Sequence, residues 1–171
     1  LPLVRHAVEA ALASRACETV VVTGHQHEAV AAALAGRPVR LVHNPAFAEG
    51  LAGSLKAGLD ALGPDVEGAI VCLGDMPRVS AALIDRLIAA FAPAQGRAIV
   101  VPTTHGKRGN PVLWGAAFFP AMRELQGDVG ARHLIGLNAE ALALVEVEDE
   151  ASLLDVDTPE ALDALLAGSA R

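Results

Sequence analysis

The run Ala69-Ile70-Val71-Cys72-Leu73 is apolar without interruption and stops at Gly74-Asp75-Met76-Pro77. An unbroken run of this length reads as a strand covered on both faces, as in a sheet enclosed by helices, and the proline forbids further pairing. The chain thereby sets Asp75 at the carboxyl end of a strand. In open parallel sheets, ligands bind in the crevice outside those ends. A carboxylate there suits a hard cation, magnesium above all, bridging to substrate phosphates. The competing role for Asp75 is to cap the next helix, but Ser80 stands directly before Ala81-Ala82-Leu83-Ile84 and is the better cap.

The patterns on either side of this run alternate between helix and strand. Leu3, Val4, Ala7, Val8, Ala11 and Leu12 share one helical stripe, which predicts a helix ending near Ala16. Residues 19–24 predict a buried strand closed by glycine, residues 29–35 a helix ending at Gly36, and residues 39–43 a short strand broken by Asn44-Pro45. Residues 81–91, 97–102, 118–125 and 142–147 continue as helix, strand, helix and strand, with Asp128 a candidate cap for a further helix. This alternation calls for an α/β sandwich on a mainly parallel sheet, and 171 residues suffice for a single domain spanning the whole chain.

Composition narrows the partners. Twenty acidic against 13 basic side chains give a net charge of −7, which opposes general nucleic-acid or anionic-membrane binding and leaves a small molecule as the expected partner. No apolar run approaches a bilayer span and the start has no signal-peptide pattern, so the reading is cytoplasmic. Cys17 and Cys72 lack metal-ligand spacing and read as small core residues in a reducing compartment. His25 and His27 form a pair without a third nearby ligand, which favours surface or capping roles over a metal site.

Three further stretches carry candidate chemistry. Around Gly50-Leu51-Ala52-Gly53-Ser54-Leu55-Lys56, glycines, a hydroxyl and a lysine mark a helix opening that could hold phosphate or the edge of a base, or could be an ordinary helix start. The chain has two lysines, Lys56 and Lys107, and both read as lying in glycine-bearing loops. Lys107-Arg108, between Gly106 and Gly109, reads either as a solvated hairpin tip or as an anion-gripping loop. In Leu154-Asp155-Val156-Asp157-Thr158-Pro159, the two aspartates share one face ahead of a helix with Thr158 as cap, and at least one is expected to face the ligand crevice. Neither GxxxxGK[ST] nor GxGxxG occurs.

Taken in order, NPAFAEGLAGSLKAG, CLGDMP, GKRGNPVLW, GDVGARHLI and LLDVDTPE resemble the nucleotidyltransferase family that includes molybdenum cofactor cytidylyltransferase, over essentially the whole chain. The resemblance implies a Rossmann-like three-layer sandwich of the nucleotide-diphospho-sugar transferase type. It implies an enzyme that joins a nucleoside monophosphate, from CTP, to the phosphate of a molybdopterin acceptor and releases pyrophosphate, with magnesium as cofactor. A molybdoenzyme or its chaperone would be a protein partner. Carried over by motif, Asp75 and Asp157 become magnesium ligands, with their carboxyl groups expected about 4–6 Å apart. Asp75, Lys56 and Arg108 become catalytic residues, Gly53 and Ser54 nucleotide contacts, and Asn110, Pro111, Asp128 and Arg132 acceptor contacts. Gly53 stands where many relatives carry serine. The family's first strand and its LAAGxSxRxG loop, which grip the triphosphate, would precede Leu1, so a native extension of roughly 20–30 residues is expected.

The chemistry suits these residues. A phosphate monoester with a second pKa near about 6 is already a dianion at neutral pH, so attack on the α-phosphorus needs no protein base. Alignment and charge neutralisation remain for the protein to supply. The alternatives are a related transferase using GTP or a sugar phosphate, and a non-catalytic domain that binds nucleotide or accepts a phosphoryl group at Asp75.

Overall fold

The computed structural model describes residues 3–76, 78–127 and 131–148. Helix α1 (Leu3–Ala13) leads into β1 (Val20–Thr23), α2 (His27–Ala33) and β2 (Arg40–His43). A 3-10 turn, Phe47–Glu49, then feeds α3 (Leu51–Asp60), β3 (Gly68–Val71) and α4 (Ala81–Ala90). After β4 (Ile99–Thr104), β5 (Lys107–Arg108) and β6 (Val112–Gly115) come α5 (Phe119–Arg123), α6 (Arg132–Leu137) and β7 (Leu142–Glu146).

Strands β1 and β2 pair in parallel, Val20 opposite Arg40 and Thr23 opposite His43. The other five form a second sheet in the order β3, β6, β4, with β7 on β4. There β6 is antiparallel to both β3 and β4, and β7 is parallel to β4. Thus β3, β4 and β7 run one way and β6, inserted between β3 and β4, runs the other. The reason is local: β4 turns back through His105 (φ 51°) and Gly106 (φ 77°), a two-residue hairpin, and a hairpin delivers an antiparallel partner where a parallel one needs a crossover. The sequence suggests a hairpin tip at Lys107-Arg108; the turn falls instead at His105-Gly106, and the two basic residues form β5, paired with Thr104 and Thr103, while β6, carried by Val112-Leu113-Trp114, is a strand the periodicity does not reveal.

Side-chain alternation sorts the core into two layers. Ile99 and Val101 of β4, with Val112 and Trp114 of β6, pack with Leu59, Phe119, Met122, Leu134 and Ile135 from α3, α5 and α6. Val100 and Leu113 point the other way, onto Leu83 and Leu87 of α4 and Val145 of β7. Strand β3 follows the same rule: Ala69 and Val71 meet the first layer and Ile70 the second. A smaller cluster, Val8, Val21 and Leu34, ties α1 and α2 to β1. Each fully buried aliphatic side chain in these layers contributes about 1.5–3 kcal/mol. The α/β sandwich is therefore as expected, and its sheet is mixed. No helix among the described residues is long and apolar enough to cross a membrane.

Ser80 caps α4, its hydroxyl accepting from the Leu83 amide at 3.1 Å. The cysteines divide. Cys72 is half-buried beyond β3, but Cys17 is exposed in the connection from α1 to β1, which corrects its reading as a core residue. Its flanking residues, Arg15, Ala16 and Glu18, leave it no apolar stripe to join. Burial pushes the Cys72 thiol up from 9.0 to about 11. Because its folded value lies above its unfolded one, its contribution to stability is complete below about pH 9 and is lost as pH rises towards 11. Iodoacetamide at pH 8 is expected to label Cys17 within minutes and to spare Cys72 until the chain is unfolded; equal labelling rates, read by mass spectrometry of tryptic peptides, would contradict this placement.

Candidate functional site

The carboxyl ends of β1 and β2 carry the most developed polar cluster. Thr23, the last residue of β1, is buried, and its Oγ1 lies 2.7 Å from His27 Nδ1, 3.4 Å from the Val42 carbonyl and 3.5 Å from His43 Nδ1. The His27 and His43 rings lie against each other, centroids 4.1 Å apart and tilted by 33°. His27 thus opens α2 bonded to a strand-end hydroxyl, one of the bland roles open to it. Asn44 follows β2 and is 8% exposed. Its backbone N–H donates to the Thr23 carbonyl at 2.8 Å, so the β1–β2 ladder runs one residue beyond the strands before Pro45 ends it.

Asn44 is the residue that sequence reasoning misses, since Asn-Pro reads as a strand breaker. Its Oδ1 accepts from the Ala46 amide at 3.1 Å, and its Nδ2 donates to Ser54 Oγ at 3.0 Å. The available signal is the Asx-turn chemistry of Asn44-Pro45-Ala46, which predicts the first bond; the second depends on the return of α3. The approach to that helix needs two glycines. Gly50, at φ 125° and ψ 171°, joins the 3-10 turn to α3 in a conformation that L side chains rarely adopt. At Gly24 a Cβ would sit 2.4 Å from Phe47 Cβ, so the absent side chain is what lets Phe47 lie over the end of β1.

Helix α3 begins without a side-chain cap, and its Ala52 amide donates to the Gly127 carbonyl at 3.0 Å. Gly53 is exposed in the first turn and Ser54 half-buried behind it. A Cβ at position 53 would meet Asn44 Nδ2 at 3.5 Å, ordinary contact, so glycine there is not forced by space. Lys56 corrects the expectation. It lies inside α3 and is exposed, and two residues of helix rotate it about 200° from Ser54, so it is a helix-surface lysine and does not join the serine.

Asp75 occupies the turn beyond β3, half-buried and next to exposed Gly74, with α4 already capped by Ser80. One strand-end carboxylate suits magnesium, which is held by one or two carboxylates together with phosphates and water. Among the described residues no three His, Cys, Asp or Glu side chains gather as a metal-binding group. Asp157, Asp155 and Asp128 lie outside the described residues. Arg108 and Lys107 are exposed on β5, opposite Thr103 and Thr104. Glu146 anchors that hairpin: its carboxylate accepts from Thr103 Oγ1 at 2.8 Å and from the His105 amide at 3.4 Å. Asn110 is half-buried, and the Asn110-Pro111 peptide is cis. Pro111 is fully buried, so its ring shapes the loop from within. Arg132 is exposed at the start of α6.

A cavity of about 220 Å³ lies at the other end of α3, between Leu59, Leu62, Pro64, Phe119 and Arg123, and contains none of these residues.

Comparison with known proteins gives the context. The MobA-like NTP transferase domain matches residues 1–147. Nicotine blue oxidoreductase of Paenarthrobacter nicotinovorans is 30% identical over 169 residues, covering 96% of this chain and 82% of that protein. The Mycobacterium sp. strain JC1 homologue of Mycobacterium tuberculosis Rv0371c superposes with a TM-score of 0.83 at 26% identity, over 97% of this chain and 82% of that one. A nucleotidyl transferase of Methanothermobacter thermautotroptrophicus gives a TM-score of 0.83 at 23% identity, over 97% and 79%, and shares the fold.

The Gly24–Phe47 contact is testable by itself. Gly24→Ala is expected to destabilise the chain by about 1–3 kcal/mol in urea melts, and adding Phe47→Gly, which removes the Cβ it meets, to recover part of that. A Gly24→Ala chain as stable as wild type would remove the packing described for the end of β1.

Proposed function

Because the chain belongs to the MobA-like NTP transferase family, we propose that it transfers the nucleoside monophosphate of CTP to the phosphate of a molybdopterin acceptor and releases pyrophosphate. Nucleotidyl transfer is the chemistry of the family. The observation that carries the reading onto this chain is the carboxylate of Asp75 beyond the carboxyl end of β3, in a fold where Asn44, just beyond the end of β2, is bonded to Ser54 in the first turns of the uncapped helix α3. The choice of CTP and molybdopterin is supported by the motif resemblance, with GTP and sugar phosphates as the nearest competitors.

In the proposed reaction an oxygen of the acceptor phosphate dianion forms a bond to the α-phosphorus, and the bond from that phosphorus to the bridging oxygen of pyrophosphate breaks. The acceptor arrives deprotonated, so no side chain has to remove a proton. The amides opening α3, apart from that of Ala52, which is bonded to the Gly127 carbonyl, and the Ser54 hydroxyl hold nucleotide oxygens, as helix starts do. Arg108 and Lys107, exposed on their hairpin, meet phosphate charge, and Asn110 and Arg132 orient the acceptor. Asp75 would hold magnesium, with Asp157 as second ligand; bound there, the ion supplies positive charge to the phosphate oxygens. Cytoplasmic placement and hand-off of the product to a molybdoenzyme or its chaperone belong to the same reading.

The name of the 30%-identical relative favours a second reading, oxidoreduction. The two separate in one assay of the full-length protein. Incubation with magnesium, CTP and molybdopterin is expected to release pyrophosphate, faster than with GTP, and NADH or NADPH to remain unoxidised. Nicotinamide oxidation without pyrophosphate release from any nucleotide would overturn the transferase reading. Asp75→Ala is expected to lower turnover about a hundredfold, a loss of about 2.7 kcal/mol at the transition state, while melting like wild type. Near-normal release by that variant would remove Asp75 from the site.

A further inference from the structure

Asn44 is fixed on three sides. Its backbone is held by Thr23, and because the Ala46 amide can only donate, the side-chain oxygen must face Ala46 and the NH2 must face Ser54. Ser54 Oγ is therefore an acceptor in this pair, which leaves the serine proton to be donated elsewhere. A serine in a helix ordinarily gives that proton to the carbonyl four residues back, here Gly50. Among the described residues no carbonyl or carboxylate takes it, although the side chain is half-buried. An amide that donates into a hydroxyl also makes that hydroxyl a stronger donor.

We propose that Asn44 is a positioning residue, which fixes the Ser54 hydroxyl as a donor aimed at an acceptor oxygen of the nucleoside triphosphate. The inference rests on the reading of the α3 start as the nucleotide-facing edge of the site, and adds to it the direction of a proton. Its consequence is selectivity by hydrogen-bond polarity: the serine recognises an oxygen without its own hydrogen and disfavours a donor at the same place. Asn44 touches no substrate itself and acts through Ser54. Asn44→Asp keeps the outline of the side chain but makes both of its terminal atoms acceptors, which would turn the serine proton back into the protein.

The test is a double-mutant cycle in the full-length protein, read as the dissociation constant of magnesium–CTP by calorimetry and as KM against kcat. Ser54→Ala is expected to weaken CTP binding about tenfold, with the loss larger in KM than in kcat, and Ser54→Thr, which keeps the hydroxyl, to restore most of it. Asn44→Asp is expected to weaken binding by a similar factor, and Asn44→Asp with Ser54→Ala to be no weaker than Ser54→Ala alone. Additive losses would mean that Asn44 acts by charge or by fold and not through Ser54, and would overturn the inference alone. Unchanged CTP and GTP binding in Ser54→Ala would overturn the nucleotide reading of this helix start and the inference with it. Should Asn44→Asp not fold, the side-chain NH2 resonances of Asn44 in the wild type decide: they are expected to shift on adding magnesium–CTP and to stay still in Ser54→Ala, and no shift in the wild type overturns the assignment.

Discussion

Strand β4 is the constraint on which the rest depends. Every residue from Ile99 to Thr104 is buried, one edge is paired along its length by β7, and the other is shared by β6 and β5. A strand enclosed on both faces and both edges demands helices above and below it. Those helices are α3, α5 and α6 on one side and α4 on the other. With its backbone satisfied by neighbours, β4 ends in Thr103 and Thr104, whose hydroxyls bond Glu146 and the Val147 carbonyl and so lock the hairpin that carries Lys107 and Arg108.

The same logic places polar groups at strand ends. The interior of the sandwich is apolar, and polar groups gather where strands stop: Thr23, Asn44 and Asp75 each stand at or just beyond a carboxyl end. Asn44 shows how a buried polar group is kept without cost. Its backbone N–H and both polar atoms of its side chain are hydrogen-bonded, to Thr23, Ala46 and Ser54, and an unpaired one would cost about 1–3 kcal/mol. Rigidity follows from that saturation.

Much of this is legible in the residues. The apolar run before Asp75 and the Ser80 cap are set by neighbours within a few positions, and such local rules survive folding. What escapes depends on distance. Asn44 looks like a breaker because its second partner, Ser54, arrives only when α3 folds back. Lys56 looks like a loop lysine because glycines flank it at 53 and 58, yet Gly58 is held inside the helix, where a Cβ would meet Val22 at 3.1 Å. Cys17 misleads because it is stranded in the connection from α1 to β1, which adds nothing to bury it. The candidate residues Asp128 and Asp157 lie outside the described residues.

The central claim is that the strand ends around Asn44, Ser54 and Asp75 form the nucleotide site, and amide chemical shifts on titration with magnesium–CTP test it most directly. The account predicts that perturbations concentrate at residues 24–27, 43–54 and 72–76, and that the amides opening α3 move farthest. Perturbations centred instead on residues 59–66 and 116–123, around the cavity at the far end of α3, would contradict it.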